Sequence, residues 1–162
     1  MRIGFRPREI LAIACQLERD GAEFYRRAAE AVPDPETATL LRELAQMEDD
    51  HLATFQDLER ELPGEGAGEL AFDTDVALRY LRAVSGGHVV DFSPDLAPRL
   101  AECTGPEDVL QLAIEVEKDS VVLYAGIQSM ASDHPGWHAA QAILFEEMDH
   151  IASLSERLES LH

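Results

Sequence analysis

The sequence predicts an all-α fold: a four-helix bundle made of two copies of one helical hairpin. Long segments with apolar residues at helical spacing are separated by turns rich in proline and glycine. Segment 7–62 also aligns without a gap on segment 106–161, at a constant offset of 99 positions. Because a second hairpin must cross over to pack on the first, we expect one long connection. A two-repeat solenoid is less favoured, since such arrays usually need at least three repeats.

The chain of 162 residues is predicted to form a single domain spanning 1–162. Its formal charge of −19 repels phosphate backbones and anionic lipids, so neither nucleic acid nor a membrane surface is an expected partner. No apolar run reaches the roughly 18–20 residues of a spanning helix, and a cytoplasmic location is expected. Cys15 and Cys103 form no Cys-x-x-Cys pair and are read as reduced packing residues.

Hairpin 1 is predicted at about 7–62, with one helix from about Pro7 to Ala31 and a second from about Glu36 to Leu62. Proline cannot continue the backbone ladder, so Val32-Pro33-Asp34-Pro35 ends the first helix and Pro63-Gly64 ends the second. The crossover is predicted at about 63–105. A short helix is expected near 73–84, and 88–105 is expected to be irregular because prolines punctuate it.

Hairpin 2 is predicted at about 106–161. Its first helix runs from Pro106 to about Met130, and its second from about Pro135 to Leu161. The intervening segment 131–134 contains polar turn residues.

In each hairpin a Glu in the first helix is followed, thirty residues later, by a Glu-x-x-His motif in the second helix. A four-helix bundle can hold two metal ions with a Glu from each of two helices and Glu-x-x-His from each of the other two. At about 1.5 Å per residue, each hairpin turn folds the second Glu back beside the first. The predicted ligands are Glu18, Glu48, His51, Glu117, Glu147 and His150.

These acids fall on the apolar stripes of their helices, where an isolated carboxylate would cost several kcal/mol. Two divalent cations would balance four carboxylates. Mixed carboxylate and imidazole ligands suit two iron or manganese ions, with zinc as a further alternative; calcium and magnesium prefer oxygen ligands alone.

Tyr25 and Tyr124 lie on the same stripes, either as core residues or as hydrogen-bond donors to the ligands. Four acids beside the motifs could orient the histidines, but solvated helix faces are the favoured reading: Asp20, Asp50, Asp119 and Asp149. The remaining histidines are expected to be exposed: His88, His134, His138 and His162.

At segments 17–25, 44–51, 117–124 and 145–150 the chain resembles the rubrerythrin branch of the ferritin-like superfamily. The resemblance implies a ferritin-like four-helix bundle with a non-haem di-iron centre. It further implies that Glu48 and Glu147 bridge the metals, that Glu18 and Glu117 are terminal ligands, and that His51 and His150 bind one ion each. Peroxide reduction or oxidation of Fe²⁺ is the implied chemistry.

The chain departs from that family in two ways. Peroxidase rubrerythrins have a further Glu ligand where this sequence has Ser120, so ligand switching by that Glu is unavailable. They also carry a rubredoxin domain with two Cys-x-x-Cys pairs, which are missing here. The chain therefore resembles the stand-alone form, and any electrons must come from a separate donor protein.

The leading hypothesis is an oxidoreductase that acts on H₂O₂ or O₂, or oxidises Fe²⁺, in oxidative-stress defence or iron handling. One alternative is a non-catalytic metal-binding or iron-storage protein. Another is a structural helical domain that holds zinc or nothing. We also expect a homodimer.

Overall fold

The computed structural model describes residues 7–61, 96–130 and 137–162. These ranges are helical throughout apart from short turns, and they contain no strand. The all-α prediction is therefore confirmed. The helices are α1 (Pro7–Ala31), α2 (Pro35–Glu61), α3 (Leu96–Glu102), α4 (Pro106–Met130) and α5 (Trp137–Ser160).

The four long helices pair as two hairpins. Helix α1 packs along α2, and α4 packs along α5; α1 also meets α4, and α2 meets α5. This is the predicted bundle of two hairpins.

The turn between α1 and α2 is fixed by Asp34, which precedes the first residue of α2. Its Oδ2 accepts a hydrogen bond of 2.8 Å from the backbone N–H of Thr37, the capping contact that helix N-termini favour. Arg157, near the end of α5, donates to the same carboxylate at 2.6 Å. Hydrogen bonds from Thr37, and then from Arg157, lower the pKa of Asp34 to about 2. The turn of hairpin 1 is thereby bonded to α5, the second helix of hairpin 2.

The crossover contains a helix where the sequence predicted irregular chain. Within 88–105, Leu96–Glu102 forms α3, which packs against α1 and α4. Pro98 does not prevent this, because it lies in the first turn, where backbone N–H groups have no partner within the helix. The short helix predicted near 73–84 lies outside the described residues, as does the predicted start of the last helix at Pro135.

Two apolar layers fill the bundle, one above and one below its middle. The first layer comprises Ile10, Leu11, Ala14, Cys15, Phe55, Leu123, Tyr124, Ile127, Ala140, Ile143 and Leu144. The second comprises Phe24, Tyr25, Ala28, Ala29, Val32, Ala38, Leu41, Leu44, Ala45, Val109, Leu110, Leu112, Ala113 and Leu154. Along each long helix the predicted ligands fall between the two layers. The six predicted ligands thus lie at one level, between the two apolar layers.

Candidate metal centre

The four long helices bring all six predicted ligands together at this middle level. Each is at most 5% exposed, which is exceptional for carboxylates. They form two groups of four in which the potential ligand atoms lie within 4.8 Å of one another. One group is Glu18, Glu48, His51 and Glu147, and the other is Glu48, Glu117, Glu147 and His150. Glu48 and Glu147 belong to both groups, so their carboxylates lie between two candidate ion positions.

Both histidines turn their Nδ1 atoms towards the carboxylates. Nδ1 of His51 lies 3.0 Å from Oε1 of Glu147 and 3.4 Å from Oε2 of Glu18. Nδ1 of His150 lies 3.3 Å from Oε1 of Glu117 and 3.3 Å from Oε2 of Glu147. The two imidazole rings are stacked, with centroids 5.5 Å apart and planes 15° from parallel. Each ring therefore presents one nitrogen to its own group of ligands.

Six buried atoms of this cluster lack a hydrogen-bond partner, although buried polar atoms are normally satisfied. They are Oε2 of Glu18, Oε1 of Glu48, Nδ1 of His51, both carboxylate oxygens of Glu147 and Nδ1 of His150. Cations bound among these atoms would satisfy them and offset the carboxylate charge. The donor set, four carboxylates and two imidazoles, fits two iron or manganese ions.

Without metal, protons balance the charge of the cluster. Burial disfavours the imidazolium of His51, but the nearby carboxylates of Glu147 and Glu18 outweigh this effect and raise its pKa to about 11. At His150, too, burial lowers the pKa, but the nearby carboxylates, Glu117 most of all, outweigh burial and raise the pKa to about 12. Each histidine thus carries a proton at neutral pH that a metal ion bound at Nδ1 must displace.

The pKa values of the carboxylates shift in different directions within the cluster. Burial raises the pKa of Glu117 to about 8, although the nearby imidazole of His150 acts in the opposite direction. Burial and the charge of Glu147 raise the pKa of Glu48 well above its usual range. For Glu147 burial acts in the same direction, but the nearby imidazoles of His150 and His51 overcome it and lower its pKa. Of these three carboxylates, Glu147 is the one most firmly held in its charged form.

The two buried tyrosines form crossed hydrogen bonds between the hairpins. The hydroxyl of Tyr25 donates to Oε1 of Glu117, and the hydroxyl of Tyr124 donates to Oε1 of Glu18. Each tyrosine thus holds the carboxylate of the other hairpin, not the one seven residues before it. The sequence indicated that these tyrosines could bond to ligands, but the stripe alone did not identify the partner.

A small cavity of about 40 Å³ adjoins the cluster. Its wall includes Gly21, Glu48, Glu117 and Ser120, and Leu96 of α3 also lines it. A Cβ atom at position 21 would lie 3.3 Å from Oε2 of Glu48, so glycine leaves room for that carboxylate. By volume the cavity can hold about two or three water molecules, or a molecule of similar size.

The outer nitrogens of the histidines contact residues that the sequence did not single out. Nε2 of His51 lies 2.8 Å from Oε2 of Glu146, and Nε2 of His150 lies 3.2 Å from Sδ of Met47. Positions 47 and 146 are related by the 99-residue repeat, a signal that could have marked them. Because methionine and glutamate are different residue types, a search for identical residues at the two positions does not find this pair.

The acids considered as histidine partners lie on helix surfaces. Asp20 accepts a hydrogen bond from Gln16, and Asp50 accepts one from Gln46, each within its own helix. Asp119 and Asp149 are exposed. His138 and His162 are also exposed, whereas His88 and His134 lie outside the described residues.

Comparison with known proteins assigns the family. The family model for the ferritin-like domain matches residues 7–160, and the chain therefore belongs to the ferritin-like domain family. The fold matches the crystal structure of a protein from Thermotoga maritima described as a ferritin-like diiron-carboxylate protein, with a TM-score of 0.72. The two chains are 23% identical, and the match covers 98% of each. A comparison with curated proteins found no match.

The buried Glu and His cluster in this fold is compatible with a di-iron site. None of the helices in the described ranges combines the length and apolar character needed to cross a membrane.

Proposed function

We propose that the protein is a non-haem di-iron oxidoreductase of the stand-alone rubrerythrin-like type, with manganese as an alternative metal. It would reduce H₂O₂ or O₂, or oxidise Fe²⁺, in the cytoplasm, in oxidative-stress defence or iron handling. Since neither cysteine belongs to a Cys-x-x-Cys pair, a separate donor protein would return the electrons.

One observation carries the proposal: two groups of four buried ligands share Glu48 and Glu147. In this assignment both ions would be held in part by Glu48 and Glu147, which belong to both groups. Glu18 and His51 complete one position, and Glu117 and His150 complete the other. The diiron-carboxylate description of the Thermotoga maritima protein, which shares the fold, supports iron as the metal.

When bound there, two Fe²⁺ ions would supply the two electrons that, with two protons, convert one H₂O₂ into two molecules of water. The surrounding protein residues would position the ligands and limit the access of water. Tyr25 and Tyr124 fix the terminal carboxylates, and the apolar layers exclude bulk water. The cavity beside Glu48 and Glu117 has room for a molecule as small as peroxide or O₂. Ser120, on its wall, leaves open the space that a longer acidic side chain would enter.

The experiment is rapid mixing of anaerobic protein, loaded with two Fe²⁺ per chain, with H₂O₂ or O₂. We expect absorbance of oxidised iron to appear with one H₂O₂ consumed per two Fe²⁺, much faster than with free Fe²⁺. Glu43→Ala, at an exposed position of α2, is the matched control and should react like the unaltered protein.

Oxidation no faster than that of free Fe²⁺ would rule out the catalytic proposal. Uptake of many ions per chain would favour storage instead. A melting temperature that falls on chelation, without any redox reaction, would favour a structural metal.

A further inference from the structure

The two histidines have equivalent inner contacts but different outer ones. At repeat-related positions, the outer nitrogen of His51 meets the carboxylate of Glu146, and that of His150 meets the thioether of Met47. Both contacts join α2 to α5: α2 supplies the histidine of one contact, and α5 supplies the histidine of the other. The crossed tyrosine bonds, by contrast, are chemically identical in the two halves.

The two outer contacts differ in their effect on a metal-bound imidazole. When Nδ1 binds an ion, the neutral ring carries its proton on Nε2 and can donate it outward. A carboxylate accepts such a bond strongly, whereas a thioether sulfur is a weak acceptor. The stronger bond fixes the ring orientation and makes the metal-binding nitrogen more basic.

We propose that the two metal positions are inequivalent: the position at His51 binds its ion more tightly, and Glu146 is the positioning residue that makes it so. Loss of such an outer partner typically weakens metal binding by about 10–100-fold. The inference rests on the metal centre assigned above, but it requires no particular reaction there.

The positions of Glu146 and Met47 make the proposal testable without disturbing the core. Their side chains lie at the bundle surface, 59% exposed for Glu146 and 43% for Met47 as a residue. Neither belongs to the two groups of candidate ligands. Exchanging them should therefore alter the outer contacts and leave the six ligands in place.

The experiment supplies Zn²⁺ at half the capacity of the two positions, one ion per chain, and follows the ¹⁵N resonances of the two histidines. In the unaltered protein we expect the Nδ1 signal of His51 to shift first, with that of His150 shifting only as a second ion is added. In the exchange variant M47E/E146M, which conserves net charge, the order should reverse. E146M alone should bring the two affinities within a few-fold of each other.

Glu156→Met is the matched control. It removes one acidic charge from an exposed position of α5, nine residues beyond Glu147, and should keep the original order. Binding with the same order in the unaltered protein and in M47E/E146M would overturn the proposal, and so would simultaneous filling in the unaltered protein. Failure of either histidine to bind Zn²⁺ would instead contradict the metal centre itself. Circular dichroism and isotherms for a second probe ion, Co²⁺, would separate misfolding from a change of affinity.

Discussion

The two hairpins carry the same ligands in different surroundings. Glu18 and Glu117 occupy matching places, as do the two Glu-x-x-His motifs and the two tyrosines. Around them the halves diverge: Gly21 matches Ser120, and Met47 matches Glu146. Hairpin 1 also has an exposed ion pair, Arg26–Asp49, where hairpin 2 has alanine and methionine. The residue types at the ligand positions must match in the two hairpins to form the centre, whereas those at the surrounding positions can differ and so make its two sides unequal.

The largest effect should come from removing a carboxylate that both sides share. Glu147→Ala takes a ligand from both groups of four, whereas Glu18→Ala or Glu117→Ala takes a ligand from one. We expect E147A to lose nearly all tightly bound metal. E18A and E117A should each retain about one ion per chain. Elemental analysis after loading and desalting measures this, with circular dichroism to establish that the helices persist. Two ions retained by E147A would contradict the shared role of Glu147.

Stability should depend on pH in opposite directions with and without metal. Burial raises the folded-state pKa of Glu117 from 4.5 to about 8, so its contribution is present below 4.5 and is lost as pH rises to 8. The raised pKa values of the histidines act in the same direction, since their contribution is present below 6.5 and is lost as pH rises towards 11–12. Metal binding displaces these protons, so metal-derived stability rises with pH.

We therefore expect the metal-free protein to lose on the order of a few kcal/mol between pH 5 and 8. The stabilisation gained from a fixed concentration of metal should increase over the same interval. Chemical denaturation at several pH values, with chelator or with metal, measures both. In the metal-free Glu117→Gln variant, the free energy of unfolding should fall less steeply with pH than in the metal-free unaltered protein. Equal slopes with and without metal would show that these protons and the metal do not compete.

The smallest effects should come from the crossed tyrosine bonds, and they should be equal in the two halves. Tyr25→Phe leaves Oε1 of Glu117 without its donor, and Tyr124→Phe does the same to Glu18. Each should cost about 1–3 kcal/mol of metal-free stability. Denaturant titration of the two variants at one pH gives the comparison. Stability costs that differ by more than about 1 kcal/mol would show that the two halves also differ at their tyrosine–carboxylate bonds, and not only at the outer nitrogens of the histidines.

Much of this arrangement could be predicted because the repeat constrains it. A fixed offset placed Glu18 and Glu117 on matching stripes, and helix geometry then placed the acids at one height. The chain reversal at Pro33 was equally visible, since proline cannot continue a helix. Periodicity and backbone rise are sufficient for conclusions of this kind.

The remaining features depend on side-chain directions or on local context. Whether Tyr25 reaches Glu18 or Glu117 depends on how the hairpins pack, which stripe membership does not specify. The contact of Glu146 with His51 depends on a ring orientation. The prolines of 88–105 predict irregular chain there, but the effect of Pro98 depends on where helix α3 begins, which the sequence does not specify.

The crossed tyrosine bonds bear on the origin of a duplicated chain. A single hairpin would contain a donor and an acceptor that do not satisfy each other, because each tyrosine serves the acid of the opposite half. Two identical half-length chains related by a twofold axis could exchange these bonds equally well. Such an assembly would necessarily place the same residue beside both histidines. Joining the halves in one polypeptide removes that restriction and permits Met47 on one side and Glu146 on the other.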